Sequence, residues 1–131
     1  MSFLLDTNIL SAHLKRPSGL THRFIQHSGR LYTSTICLAE LYDWAFGRHD
    51  SAGAIDSIQK MLYREVNLID FDSDCALECG RVRMDLRRQG IEVSDVDLMI
   101  AAVALVFDLT LVTNNTADFR FIPGLRLIDW L

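Results

Sequence analysis

Proline and cysteine are scarce in this 131-residue chain, which has two prolines, Pro17 and Pro123, and three cysteines, Cys37, Cys75 and Cys79. An odd cysteine count without a Cys-x-x-Cys pair argues against both a disulfide framework and a cysteine zinc site. Cys75 and Cys79 lie one helical turn apart and read as reduced core thiols. No His-Glu-x-x-His run offers zinc another route. The first apolar segment is followed by Asp6 rather than by a glycine-rich loop, which argues against a dinucleotide binder. The longest apolar run, Leu98 to Phe107, is too short to span a bilayer. No basic stretch precedes the apolar start, so no secretory signal is expected, and with reduced thiols this implies a cytoplasmic setting. An excess of positive charge is missing too. Thirteen Lys and Arg face seventeen Asp and Glu, a net charge of −4. A uniformly basic surface for nucleic acid is therefore absent. Distribution matters more than the total. Eleven of the thirteen basic residues are arginine, the better fork for phosphate. Lys15-Arg16 form one basic cluster, and Arg81, Arg83, Arg87 and Arg88 another.

What is present is apolar material. Half of the residues are hydrophobic, enough for a core and too many for a disordered chain. The length predicts a single domain over residues 1–131. Phe3-Leu4-Leu5 reads as a short buried strand. A helix follows, capped by Asp6 or Thr7 and stopped at Pro17-Ser18-Gly19. Leu20 to His27 predicts a second short helix and Leu31 to Ser34 a second strand. Thr35 is expected to cap a third helix running to Phe46 and ended by Gly47. Ala52 to Arg64 is amphipathic and helical, and Val66 to Phe71 alternates as a strand. Helices over 73–89 and 94–107, a strand over 110–113 and a last one over 126–128 complete the chain. Strands that alternate with helices predict an α/β fold of three layers, a mainly parallel twisted sheet flanked by helices. Strands written as continuous apolar runs are those covered on both faces.

Four acids stand in or beside these apolar stretches: Asp6, Glu40, Asp97 and Asp118. A carboxylate against a core is costly unless it is paired, hydrogen-bonded or bound to metal. Each has a local explanation. Asp6 can cap the first helix, Asp97 completes a capping box with Ser94, and Asp118 can hold an Asx turn. Glu40 has no such explanation in its apolar helix. In a parallel sheet, ligands bind at the carboxyl ends of the strands, where all four acids can converge. Clustered carboxylates raise one another's pKa, and a hard divalent cation, Mg²⁺ or Mn²⁺, relieves that repulsion. Such a site suits phosphodiester hydrolysis by an activated water.

These blocks resemble those of PIN-domain ribonucleases, and most closely of the VapC toxins of toxin–antitoxin pairs. They are Leu5-Asp6-Thr7-Asn8, Glu40, Asp97-Leu98-Met99-Ile100-Ala101-Ala102, and Leu111 through Phe119 with Asn114, Asn115 and Asp118. The resemblance runs over essentially the whole chain and implies a metal-dependent endoribonuclease. It implies Asp6 and Asp97 as the principal metal ligands, and Glu40 and Asp118 as the rest of a catalytic acidic pocket. Thr7 and Asn115 would support the site by hydrogen bonds. Asp95 lies two residues before Asp97, and the choice of Asp97 rests on its place directly before the apolar run. The implied partners are an RNA substrate such as initiator tRNA, a cognate antitoxin and a second copy of the chain in a homodimer. Leu38, Leu41, Tyr42, Trp44 and Phe46 are more apolar groups than one inward helix face needs, so part of them is expected at an interface.

Three rival readings are weaker. A haloacid-dehalogenase-like phosphatase needs Asp-x-Asp, and Asn8 stands at the third position. A receiver domain needs an early acidic pair and a late lysine, and the only lysines are Lys15 and Lys60. A catalytically silent PIN-like domain that binds RNA or protein would be expected to have lost some of the four acids.

Overall fold

The computed structural model describes residues 1–131. Five strands form one sheet: β1 (Phe3–Leu5), β2 (Leu31–Ser34), β3 (Asn67–Ile69), β4 (Thr110–Val112) and β5 (Leu127–Ile128). Their order is β3-β2-β1-β4-β5, and every neighbouring pair is parallel. From β1 the chain first adds strands on one side, then crosses back to add β4 and β5 on the other. The direction of growth reverses between β1 and β4. That reversal leaves a crevice at the carboxyl ends of these two strands.

Side chains alternate across the sheet, and this divides the core in two. Phe3 and Leu5 point to one face with Val112, where they meet α1 (Thr7–Lys15), α2 (Pro17–Gln26), α3 (Thr35–Phe46) and α4 (Ser51–Arg64). Leu4 and Leu111, paired in register, point to the other face. There they pack on α5 (Ser73–Arg88), α6 (Asp95–Val106) and the short α7 (Thr116–Phe119). The expected three-layer α/β architecture is present.

The structure corrects several details. Proline 17 stops α1 and also opens α2 as its first residue, because its fixed φ suits the first helical turn and it has no N–H to leave unpaired. The second helix therefore begins at Pro17, not Leu20. Ser34 rather than Thr35 caps α3, accepting from the Cys37 N–H at 3.2 Å. Gly47 ends that helix at φ −80°, without the left-handed turn. Strand β3 keeps only three residues of the expected six. Cys75 is buried as expected, whereas Cys79 is half-buried. On α3, Leu41 is buried, Leu38, Tyr42 and Trp44 pack beside the core, and Phe46 alone is largely exposed. No helix is long and apolar enough to cross a membrane.

Candidate active site

Asp6 follows β1 directly, and its backbone N–H extends the ladder to Val112 O at 3.0 Å. The sheet thereby delivers a carboxylate into the crevice between β1 and β4, where Asp6 is buried. Both of its oxygens are hydrogen-bonded. Oδ1 accepts from the Thr7 N–H at 2.8 Å and from the Cys37 thiol at 3.8 Å. Oδ2 accepts from Thr113 Oγ1 at 2.8 Å and from Asn8 Nδ2 at 3.3 Å. Asp6 caps α1 while lying in the crevice, so the local and the shared explanations hold together. Burial nevertheless pushes its pKa above the ordinary 3.8, against the opposing pull of these bonds, Thr113 first. Cys37 is pushed up to about 12 by burial and by the Asp6 charge. It remains a thiol donor and offers no nucleophile.

Asp97 reaches the same crevice from the first turn of α6. Ser94 caps that helix, accepting from the Asp97 N–H at 3.2 Å. The half-buried Asp97 carboxyl is also raised above 3.8, first by burial and then by the charges of Asp6 and Asp118, against a hydrogen bond with Ser94. The mutual repulsion expected from the sequence thus acts on Asp97 from two other members of the set. Asp95, by contrast, points away and forms an ion pair with Arg83 of α5.

Glu40 and Asp118 are exposed, so the burial cost expected for all four acids falls on Asp6 and, in part, on Asp97. Helix α3 turns Cys37, Leu41 and Ala45 inward, which leaves Glu40 at the rim of that face. There its Oε1 accepts from Thr7 Oγ1 at 2.8 Å, which ties α3 to the start of α1. Asp118 lies in α7, a helix not foreseen in the sequence. Its side chain makes no hydrogen bond, contrary to the Asx-turn reading, and its backbone N–H bonds Asn115 O at 3.0 Å. Asn115 contributes through its own backbone N–H, which donates to Thr113 Oγ1 at 3.0 Å.

Two residues with no role assigned from the sequence hold the crevice together. Thr113 donates to Asp6, and its Oγ1 accepts from Asn8 Nδ2 at 3.3 Å. Asn8 in turn accepts from the Asn114 N–H at 3.1 Å. The Asp6-Thr7-Asn8 block, three consecutive polar residues after an apolar strand, was the available signal. No three His, Cys, Asp or Glu side chains close into a cage for an ion. The site is open, and its donors are hard carboxylate oxygens with two raised pKa values. That chemistry suits a cation such as Mg²⁺, which keeps several waters and takes one or two carboxylates directly.

The sequence model described as PIN domain matches residues 3–124. The tRNA(fMet)-specific endonuclease VapC of Shigella flexneri is 34% identical, over 99% of this chain and 98% of its own length. The similarity extends to solved structures. DNA-bound VapBC from Salmonella typhimurium contains a chain with a TM-score of 0.92 at 32% identity, covering 100% of this chain and 99% of that one. VapBC2 from Rickettsia felis, bound to a promoter DNA fragment, gives 0.91 at 30% identity with complete coverage of both chains. The chain belongs to the PIN-domain family, among its VapC ribonucleases.

Proposed function

We propose that this chain is a Mg²⁺- or Mn²⁺-dependent endoribonuclease and the toxin of a toxin–antitoxin pair. The carrying observation is that Asp6, Asp97 and Asp118 meet at the switch point of a parallel sheet, where Asp97 is raised first by burial and then by the charges of Asp6 and Asp118. Three acids from three separate elements share one field there, and a cation is the simplest relief. Asp6 and Asp97 would hold it. The long contacts to Asp6, from Asn8 Nδ2 and Cys37 Sγ, are the ones that yield to a ligand. When bound, the ion supplies Lewis-acid activation of water and neutralises phosphate charge. The protein's part is orientation. Thr113 and the Thr7 N–H fix the Asp6 carboxylate, and Ser94 fixes Asp97. Thr7 holds Glu40 by Oε1, which leaves Oε2 free to take the proton of an attacking water. Asp118 completes the negative rim.

The substrate is a structured RNA, with initiator tRNA the first candidate because the Shigella flexneri relative is named for it. The solved relatives are toxin–antitoxin complexes, which supports a cognate antitoxin as partner. A homodimer is the expected state of the free toxin, with exposed Phe46 a candidate contact. Retention of all four acids disfavours a silent binding domain.

Purified protein freed of antitoxin should cleave RNA only with Mg²⁺ or Mn²⁺, and Asp97→Asn should abolish cleavage with the fold intact. Cleavage that persists in EDTA sinks the metal mechanism. A variant that cuts at the wild-type rate sinks the assignment of Asp97. Sequencing RNA ends after induced expression identifies the target.

A further inference from the structure

The acidic site opens along α1 into a second hollow of opposite charge. Asn8 stands at the junction, bonded to Asp6 on one side and lining a cavity of about 490 Å³ on the other. Asn8, Ser11 and Lys15 form one wall of this cavity, Arg16 its far end, and Leu20 and Trp130 an apolar side. The spacing i, i+3, i+7 makes the wall a single helical stripe about 10 Å long.

The lining favours an anionic ligand with a flat part. Lys15 and Arg16 are exposed and belong to no ion pair, and no Asp or Glu side chain lines the cavity. The Lys15 ammonium rests 5.6 Å over the Trp44 ring, which lies outside this cavity, and turns from it to meet a ligand in the hollow. Trp130 contributes an apolar edge: it is buried, with His27 stacked on its ring at 5.4 Å and Arg23 5.7 Å over it, and its unpartnered indole Nε1–H is buried with it. Helix α2 adds to the positive field, because it starts here with no side-chain cap. A basic groove with an adjoining aromatic wall is the usual way to hold a single strand, phosphates on cations and bases on apolar surface.

We propose that this hollow binds the nucleotide next to the scissile phosphate in a single-stranded segment of RNA. Its phosphate lies on Lys15 and Arg16, and its base lies against Leu20 and Trp130. The inference rests on the ribonuclease reading. An acidic peptide of the antitoxin is the competing occupant. RNA is favoured because the cavity is continuous, through Asn8, with the carboxylates that a phosphodiester must reach.

The test is fluorescence anisotropy of a labelled single-stranded RNA oligonucleotide with full-length Asp97→Asn protein, which should bind without cutting. Adding Lys15→Gln and Arg16→Gln should weaken binding at least tenfold. It should also flatten the salt dependence by about 0.7 in log–log slope, from the one phosphate no longer neutralised. Gly19→Glu should weaken binding in the same direction, and the fold accommodates it because a Cβ there meets no atom within 4 Å. Unchanged affinity and slope overturn the proposal. So does a loss of affinity for purified antitoxin with RNA binding retained. Lys15-dependent binding of RNA that wild-type protein never cuts would keep the subsite and remove the ribonuclease reading. Metal-dependent cleavage indifferent to Lys15 and Arg16 would do the reverse.

Discussion

Thr113 Oγ1 donates a 2.8 Å hydrogen bond to Asp6 Oδ2, joining the ends of two adjacent strands that lie 107 residues apart in sequence. Thr113 is fully buried, and the same oxygen receives the Asn115 N–H. Thr113→Val keeps the shape and removes both of these bonds together with the one accepted from Asn8 Nδ2. The stranded Asn115 N–H and weakened Asp6 should destabilise the protein by about 1–3 kcal/mol. Asp6 loses the strongest influence that lowers its pKa, so its pKa should rise further. Because the ionised carboxylate is the form that holds a cation, the acid limb of the pH–rate profile should move to higher pH. A profile that stays in place would show that Asp6 ionisation does not limit cleavage.

Asp97→Asn should make the metal-free protein more stable at neutral pH. The folded-state pKa of Asp97 is raised, chiefly by burial and then by Asp6 and Asp118. The folded state therefore binds the proton more tightly than the unfolded chain. For such an acid, stability is fully present below the ordinary 3.8 and is lost as pH rises through the folded pKa. Asparagine has no proton to release and stays neutral throughout. Melting in EDTA should give the variant a higher Tm than wild type near pH 7, with the gap closing as pH falls towards 3.8. Excess Mg²⁺ should reverse the order, because only wild type gains from binding. Equal Tm values at every pH would contradict the repulsion ascribed to this cluster.

The legible and hidden parts of the site differ for physical reasons. Asp6 and Asp97 stood out because apolar neighbours make an acid conspicuous, and both do carry a burial cost. Glu40 stood out for the same reason, yet it is exposed. A one-residue offset from Leu41 moves a side chain about 100° around a helix, which composition alone does not register. Thr113 and Asn8 were hidden because their roles depend on which strands are neighbours. Thr113 reads only as the last residue of a buried strand until β4 is laid beside β1. Helix α7 is four residues long, too short for any period to show. Proline 17 was read as a stop, but its geometry also suits a start.

Asp95 and Asp97 should separate cleanly under mutation. Asp95 is bound to Arg83, and its side chain is 82% exposed. An exposed pair of this kind contributes about 0–1 kcal/mol. Asp95→Asn should therefore cost no more than that and leave cleavage within about twofold of wild type, while Asp97→Asn abolishes it. Steady-state kinetics on the identified RNA, with urea unfolding of each variant, checks both halves. A large rate loss in Asp95→Asn would return that residue to the site.

Phe119 tests whether Asp118 acts from a fixed position. Helix α7 has a single buried residue, Phe119, which is fully enclosed beside Leu98, Leu111 and Ile122. The exposed Asp118 is its immediate neighbour and has no side-chain bond of its own, so Phe119 anchors it. Phe119→Ala would open a cavity costing about 3–5 kcal/mol, and general loosening would then obscure the result. Phe119→Leu keeps an apolar side chain and should cost about 1 kcal/mol. Small displacements at a reacting centre can still cost one or two orders of magnitude in rate. Cleavage by Phe119→Leu should therefore fall by roughly tenfold at a temperature where the variant is fully folded. Asp118→Asn should lose rate without losing stability. The double variant should be no slower than Asp118→Asn alone, since the anchor matters only through the carboxylate it holds. If the two losses multiply instead, Phe119 supports the site by another route and Asp118 leaves the proposed set.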